Sequence, residues 1–176
     1  MKWTREVKYE DMMKKLKKMI YDNLKLNSAR ARKNVCYATI LAIQLRNGSR
    51  ISEAIDFYLQ VCKKFKKSGE VRVRKKKNLV LRKMVLPKFI NKEVITVARS
   101  YSYGKNEVQL KTNLKNFARK KLGINTHSLR YAFITRLAEL GYPPQIIANI
   151  TKHSNLNLVQ RYTDEYSATR VLDDLD

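Results

Sequence analysis

Two histidines, two arginines and a tyrosine in this chain are spaced like groups that work on a phosphodiester. His127 and Arg130 stand three apart in Thr126-His127-Ser128-Leu129-Arg130, so on a helix they share a face. In a first helical turn, unpaired N–H groups and the helix dipole already favour an anion. His153 follows in Lys152-His153-Ser154, and Tyr162 in Gln160-Arg161-Tyr162; Arg50 lies upstream, just after a turn at 46–49. Guanidiniums on the non-bridging oxygens of a phosphodiester remove the repulsion met by an attacking anion. They also stabilise the extra charge of the pentacoordinate transition state. Arg50 and Arg130 are the candidates, because a guanidinium grips two phosphate oxygens in a fixed fork. A tyrosine that attacks the phosphorus conserves the broken bond's energy in a covalent link. Its phenol, with an ordinary pKa of about 10, needs a base or a strong positive field. His127 is the nearer candidate base and His153 a second donor. The sequence offers no metal-binding carboxylate cluster and no Gly-rich phosphate loop, so the expected chemistry uses neither metal nor ATP.

The rest of the composition agrees with a polyanionic partner. The 176 residues suffice for one domain with a real core, and 38 Lys and Arg against 15 Asp and Glu give a formal charge of +23. An excess that large favours nucleic acid over membrane. Cys36 and Cys62 sit in apolar helical contexts without metal-ligand spacing, and read as small buried hydrophobes in a reducing compartment. No signal-peptide profile opens the chain, and the longest apolar run, 35–45, is too short to cross a bilayer. The expected protein is soluble, intracellular and DNA-associated.

The elements that must position these groups are mostly helical. Apolar residues recur at helical spacing over 8–26, a basic amphipathic helix read as packed surface structure. Residues 29–33 read as a basic connector and 34–46 as a buried helix. In the turn 46–49, Gly48 takes positive φ and Ser49 caps a helix running from Arg50 to about Phe65. Arg50 then sits against the helix dipole unless a phosphate docks there. Short runs of strand character predict a hairpin of about 70–76 and 79–86 with a very basic tip: Arg72, Arg74, Lys75, Lys76, Lys77. Such a tip can reach into a DNA groove. Helices are expected at 88–100, 107–122, 127–140, 143–151 and 155–166. In the helix at 107–122, Leu110, Leu114 and Phe117 face the core and Gly123 ends it. In the helix at 127–140, Leu129, Phe133, Leu137 and Leu140 face the core, with His127 and Arg130 pointing elsewhere. The tail 170–176 turns acidic and amphipathic.

The order of these groups resembles the tyrosine recombinase, or phage integrase, family. The family's C-terminal box of histidine, any residue, leucine, arginine reads here His127-Ser128-Leu129-Arg130. Gly141 is in place after the following helix, Thr151-Lys152-His153 stands for the family's Leu-Gly-His, and Tyr162 follows nine residues later, as the nucleophile does. Upstream, Asn47-Gly48-Ser49-Arg50-Ile51-Ser52-Glu53 matches the box around the family's first arginine. The family's catalytic lysine lies at a hairpin turn between the boxes. Lys75, Lys76 and Lys77 compete for it, with Lys76 favoured and Lys77 next. Lys152 departs from the family glycine.

The resemblance covers roughly residues 30–166. It implies a mainly α catalytic domain with a small antiparallel hairpin, spanning 1–176 as one domain without the family's N-terminal core-binding domain. The richness in lysine and tyrosine is of an archaeal or archaeal-virus kind, which would place the protein in the host cytoplasm. The resemblance further implies that Tyr162 attacks the scissile phosphate, that a 3′-phosphotyrosine forms, and that a free 5′ hydroxyl leaves. Tyr166 is the rival nucleophile. The implied partners are double-stranded DNA carrying an attachment site and further copies of the chain, a tetramer on DNA from monomers or dimers; the acidic tail from Val171 could dock on a neighbour. Two other readings remain open: a type IB topoisomerase-like nicking-closing enzyme, and a basic DNA-binding module with a dead site.

Overall fold

Every residue from Val35 to Leu45 is buried, so the helix that carries them must be enclosed on all sides. In the computed structural model this helix is α2 (Ala29–Asn47), surrounded by α1 (Tyr9–Leu24), α3 (Ile51–Lys63), α4 (Lys92–Ser102) and α6 (Thr126–Glu139). The structure describes residues 7–73, 78–153, 156–157, 159–161 and 163–164. Between α3 and α4 lies a two-stranded antiparallel hairpin, β1 (Ser68–Arg72) and β2 (Leu81–Val85), in the register Glu70 to Lys83 and Val71 to Arg82. The chain then runs through α5 (Glu107–Phe117), a π-helical turn (Ala118–Leu122), α6 and α7 (Pro144–Thr151). The fold is therefore mainly α with one small hairpin, as the sequence implies.

One hydrophobic cluster joins α1 to α6. Leu16 and Ile20 of α1 are fully buried in it beside Ile40 and Leu41 of α2 and Ile55 and Phe57 of α3. Truncating one such leucine or isoleucine to alanine typically costs about 2–5 kcal/mol. A smaller cluster, Ile134, Ala138, Ile147 and Val159, packs α7 and the helical residue Val159 against α6.

Several boundaries depart from the sequence reading. Residues 29–33 are not a connector. Ser28 accepts a hydrogen bond from the Ala31 N–H and starts α2 there, with Ala31 buried. Ser49 does not cap α3; Arg50 holds the cap position, and the Ser49 hydroxyl is buried without a hydrogen-bond partner. The helix expected from 88 begins at Lys92, because the Asn91 side chain caps it by accepting from Val94 N–H. The helix over 107–122 changes to π geometry after Phe117. Leu140 is half exposed rather than core-facing, since α6 ends at Glu139. Cys36 is buried as expected, but Cys62 is only partly so.

Candidate active site

The turn between α2 and α3 is the centre of the site. Gly48 adopts φ +54° and approaches α6 so closely that an added Cβ would lie 2.2 Å from Cδ1 of Phe133. Gln44 fastens the two segments: its Nε2 donates to Ser49 O at 3.2 Å and to Thr126 O, in the first turn of α6, at 2.9 Å. Asn47 fastens the hairpin, donating to Val85 O at 2.9 Å and accepting from Val85 N–H at 2.8 Å. The ends of α2, α3, α6 and β2 therefore meet at one place.

Arg130 comes to that place from α6. Its position corrects the sequence reading: it does not point away from the core, but is 1% exposed, the largest fully buried side chain among the described residues. The guanidinium donates to Gly48 O at 2.7 Å and to Thr151 O at 2.8 Å, and lies 3.0 Å from Nδ1 of His153. Burial, and then the nearby Arg50 and Arg82 charges, lower its pKa to about 10, which leaves it protonated at neutral pH.

His153 follows directly from the way α7 ends. Lys152 takes φ +54°, the only non-glycine positive φ among the described residues, and the chain turns so that His153 N–H donates to Ala148 O at 3.1 Å. Lys152 stands where the resemblance places a glycine, and it adopts the left-handed conformation that glycine favours. Thr151 Oγ1 is 2.7 Å from Ile147 O, where its proton goes, and 3.1 Å from Nδ1 of His153. Burial first, then Arg130, Arg50, His127 and Arg82, push the His153 imidazole down to about 4. His153 is thus neutral near pH 7.

Arg50 meets the same cluster from the cap of α3. Its backbone N–H donates to Oε2 of Glu53 at 3.2 Å and its Nη1 to Oε1 at 2.9 Å. Glu53 is fully enclosed, whereas 17% of the Arg50 side chain stays open to a ligand. Glu53 also receives Arg82 of β2, whose Nη1 is 3.1 Å from Oε2. Arg82 Nη2 donates to Asn47 O, and Nη1 lies 3.4 Å from Thr151 O. Three guanidiniums thus gather near one buried carboxylate, leaving an excess of positive charge that an added anion would balance.

Arg50, Arg130 and His153 are brought together, and His127, half-buried at the start of α6, is near enough for its charge to act on His153. His127 N–H donates to the Asn125 side chain, which caps α6, and its ring meets the Tyr131 ring edge-on at 5.4 Å between centroids. Arg72 is exposed at the end of β1, opposite Leu81. Arg74, Lys75, Lys76, Lys77, Tyr162 and Tyr166 lie outside the described residues. Sequence reasoning gave no role to Arg82, Gln44, Asn47 or Thr151. For Arg82 a signal existed: strand residues two apart share a face, and Arg82 stands two before the buried Met84. Glu53 was visible only as part of the motif around Arg50.

This helical frame, with its hairpin and its cradle of arginines around a neutral histidine, is consistent with the tyrosine recombinase class. The chain belongs to the phage integrase family, whose model matches residues 2–169. It is 34% identical over 186 residues to an uncharacterised protein of Methanocaldococcus jannaschii, covering 93% of this chain and 80% of that protein. It is 37% identical over 143 residues to a protein of Acidianus two-tailed virus named "Putative integrase ORF241", covering 77% of this chain and 54% of that protein. No solved structure matches the chain significantly. Family membership makes DNA the partner and recombination the class of activity. No described helix is long and apolar enough to cross a membrane.

Proposed function

We propose that this chain is a site-specific recombinase that cuts and rejoins double-stranded DNA through a 3′-phosphotyrosine on Tyr162. The reading rests on one observation above all: Arg50, Arg130 and His153 border a single positively charged cradle around the Gly48 turn. Arg50 and Arg130 stabilise the charge that builds on the phosphate as the phenolic oxygen attacks. His127 takes the phenol proton. His153, neutral and with Nδ1 facing Arg130, offers its Nε2–H to a non-bridging oxygen. As the P–O5′ bond breaks, Lys76 or Lys77 protonates the departing oxygen. Attack by a second strand's 5′ hydroxyl reverses each step and frees Tyr162, so the cycle consumes neither metal nor ATP. Two duplexes exchanging strands need four nucleophiles, and the assembly on DNA is then a tetramer. Arg72, Arg74 and Lys75 grip the backbone beside the cut.

The test is covalent capture. A pool of nicked duplexes with randomised flanks, in which the cleaved end diffuses away, is incubated with the chain and resolved on a denaturing gel. A protein–DNA adduct is expected from the native chain and none from Tyr162→Phe, while DNA binding survives the change. DNA binding without an adduct from the native chain would overturn the proposal in favour of a binding module. Relaxation of supercoiled plasmid without two-site joining would identify a nicking-closing enzyme instead.

A further inference from the structure

Arg82 is 2% exposed, and its hydrogen bonds tie β2 to three other elements: α3 through Glu53, the end of α2 through Asn47 O, and the end of α7 through Thr151 O. Its Nε finds no partner, so burying it costs free energy that its other contacts must offset. A methionine of similar reach would fill the same place without that cost. The charge must therefore serve something besides packing.

Its effect is clearest at Glu53. The carboxylate has two oxygens, and Arg50 and Arg82 divide them: the Arg50 guanidinium holds Oε1 at 2.9 Å, while Arg82 Nη1 holds Oε2 at 3.1 Å. Arginine and carboxylate otherwise favour a two-bond fork. With Arg82 absent, only the Arg50 backbone N–H, at 3.2 Å, stays on Oε2, and that oxygen's second lone pair is left for the Arg50 guanidinium to take as well. It would then turn its remaining N–H groups away from the open side of the cradle. Arg82 also connects this arrangement to β2, the strand that returns from the segment containing Lys75, Lys76 and Lys77.

We propose that Arg82 is a positioning residue for strand cleavage: by occupying one oxygen of Glu53 it keeps the Arg50 guanidinium singly bonded there and free to meet the scissile phosphate. This rests on the reading of Arg50 as a phosphate ligand given above. The arrangement makes Glu53 harmful once Arg82 is gone, and harmless if its charge is removed too.

That sign is what the experiment reads. Arg82→Met, Arg82→Lys and the double variant Arg82→Met with Glu53→Gln are compared with the native chain on a duplex recovered from the adduct pool. Arg82→Met is expected to lower the single-turnover cleavage rate at saturating DNA by about 100-fold, the scale of a misplaced catalytic group, with DNA affinity changed far less. Arg82→Lys, a point charge without the fork, recovers only part. The double variant cleaves faster than Arg82→Met alone, because the neutral amide that replaces the carboxylate no longer captures Arg50. Removing the under-paired carboxylate also aids folding, so the rates are compared at equal folded fraction, and a double variant no faster than the single one then overturns the proposal. Should Arg82→Met fail to fold, the double variant, which buries no lone carboxylate, is compared directly with Glu53→Gln. Equal rates are expected, and a further loss from removing Arg82 overturns the proposal. Nitrogen-15 spectra of the Arg50 guanidinium give a readout that needs no activity. Rotation about its Cζ–Nη bonds is slower in Arg82→Met than in the native chain if the fork to Glu53 forms, and unchanged if the proposal is wrong. A native chain that forms no adduct, with slowed rotation in Arg82→Met, rejects the recombinase reading and keeps the role of Arg82 in placing Arg50.

Discussion

The guanidinium of Arg130 and Nδ1 of His153 are 3.0 Å apart, a contact that favours the tautomer with its proton on Nε2. Arginine can only donate, so Nδ1 accepts and the proton of the neutral ring sits on Nε2. The pair thus couples a buried cation to a neutral donor, and it adds to the burial that opposes protonation of His153.

Folding holds His153 at about 4, against an ordinary 6.5, because burial and the arginines oppose a second positive charge. The unfolded chain binds the proton more readily between those values. The resulting stability is complete above pH 6.5, declines as pH falls, and is lost below about 4. Urea midpoints measured across this window should fall less steeply for His153→Asn than for the native chain. Parallel curves would show that His153 titrates normally.

Arg50 and Arg130 should separate catalysis from stability. Arg50→Ala leaves Glu53 paired with Arg82, so the protein stays folded while cleavage drops by about 10²–10³. Arg130→Ala strands Gly48 O in the interior, at about 1–3 kcal/mol, leaves Thr151 O only the longer contact from Arg82, and lowers the melting temperature as well as the rate. Thermal melts beside single-turnover cleavage distinguish the two.

Gly48 has no room for a side chain and a backbone angle that disfavours one. Gly48→Ala should therefore destabilise by at least the roughly 1–3 kcal/mol usual for overpacking. Adding Phe133→Leu should restore part of the loss by opening space, while the strain of φ +54° persists. Denaturant midpoints of the single and double variants check this.

Lys152 adopts φ +54° at the end of α7, where glycine meets no Cβ penalty. Lys152→Gly should raise stability by about 1 kcal/mol, and a β-branched Lys152→Val should lower it by more. Equal midpoints for the three proteins would mean that the turn carries no strain.

The Cys36 thiol is pushed up to about 12, chiefly by burial, so it holds almost no thiolate at neutral pH. In the native chain it should react with a disulfide reagent only as fast as the protein opens. Mild urea should accelerate the reaction, and mass spectrometry can assign the modified site. Prompt labelling at Cys36 without urea would contradict its burial.

The sequence by itself determined the helical character, the hairpin and the order of the motif residues. Those signals are local: the apolar run 35–45, the turn glycine at 48, and the fixed spacings from His127 to Tyr162. Capping and packing shifted what periodicity alone could not place. Ser28 extended α2 backwards by a turn, and the early end of α6 left Leu140 in solvent. Only the tertiary structure decided the inside of the site. It turned Arg130 into the core and gave its donors to carbonyls 82 and 21 residues away. It also set Arg82 on Glu53 across 29 residues. Such bonds have no period and no sequence signature. They exist because the ends of α2, α3, α6, α7 and β2 converge, and in that water-poor space each buried charge must find whatever partner the fold brings to it.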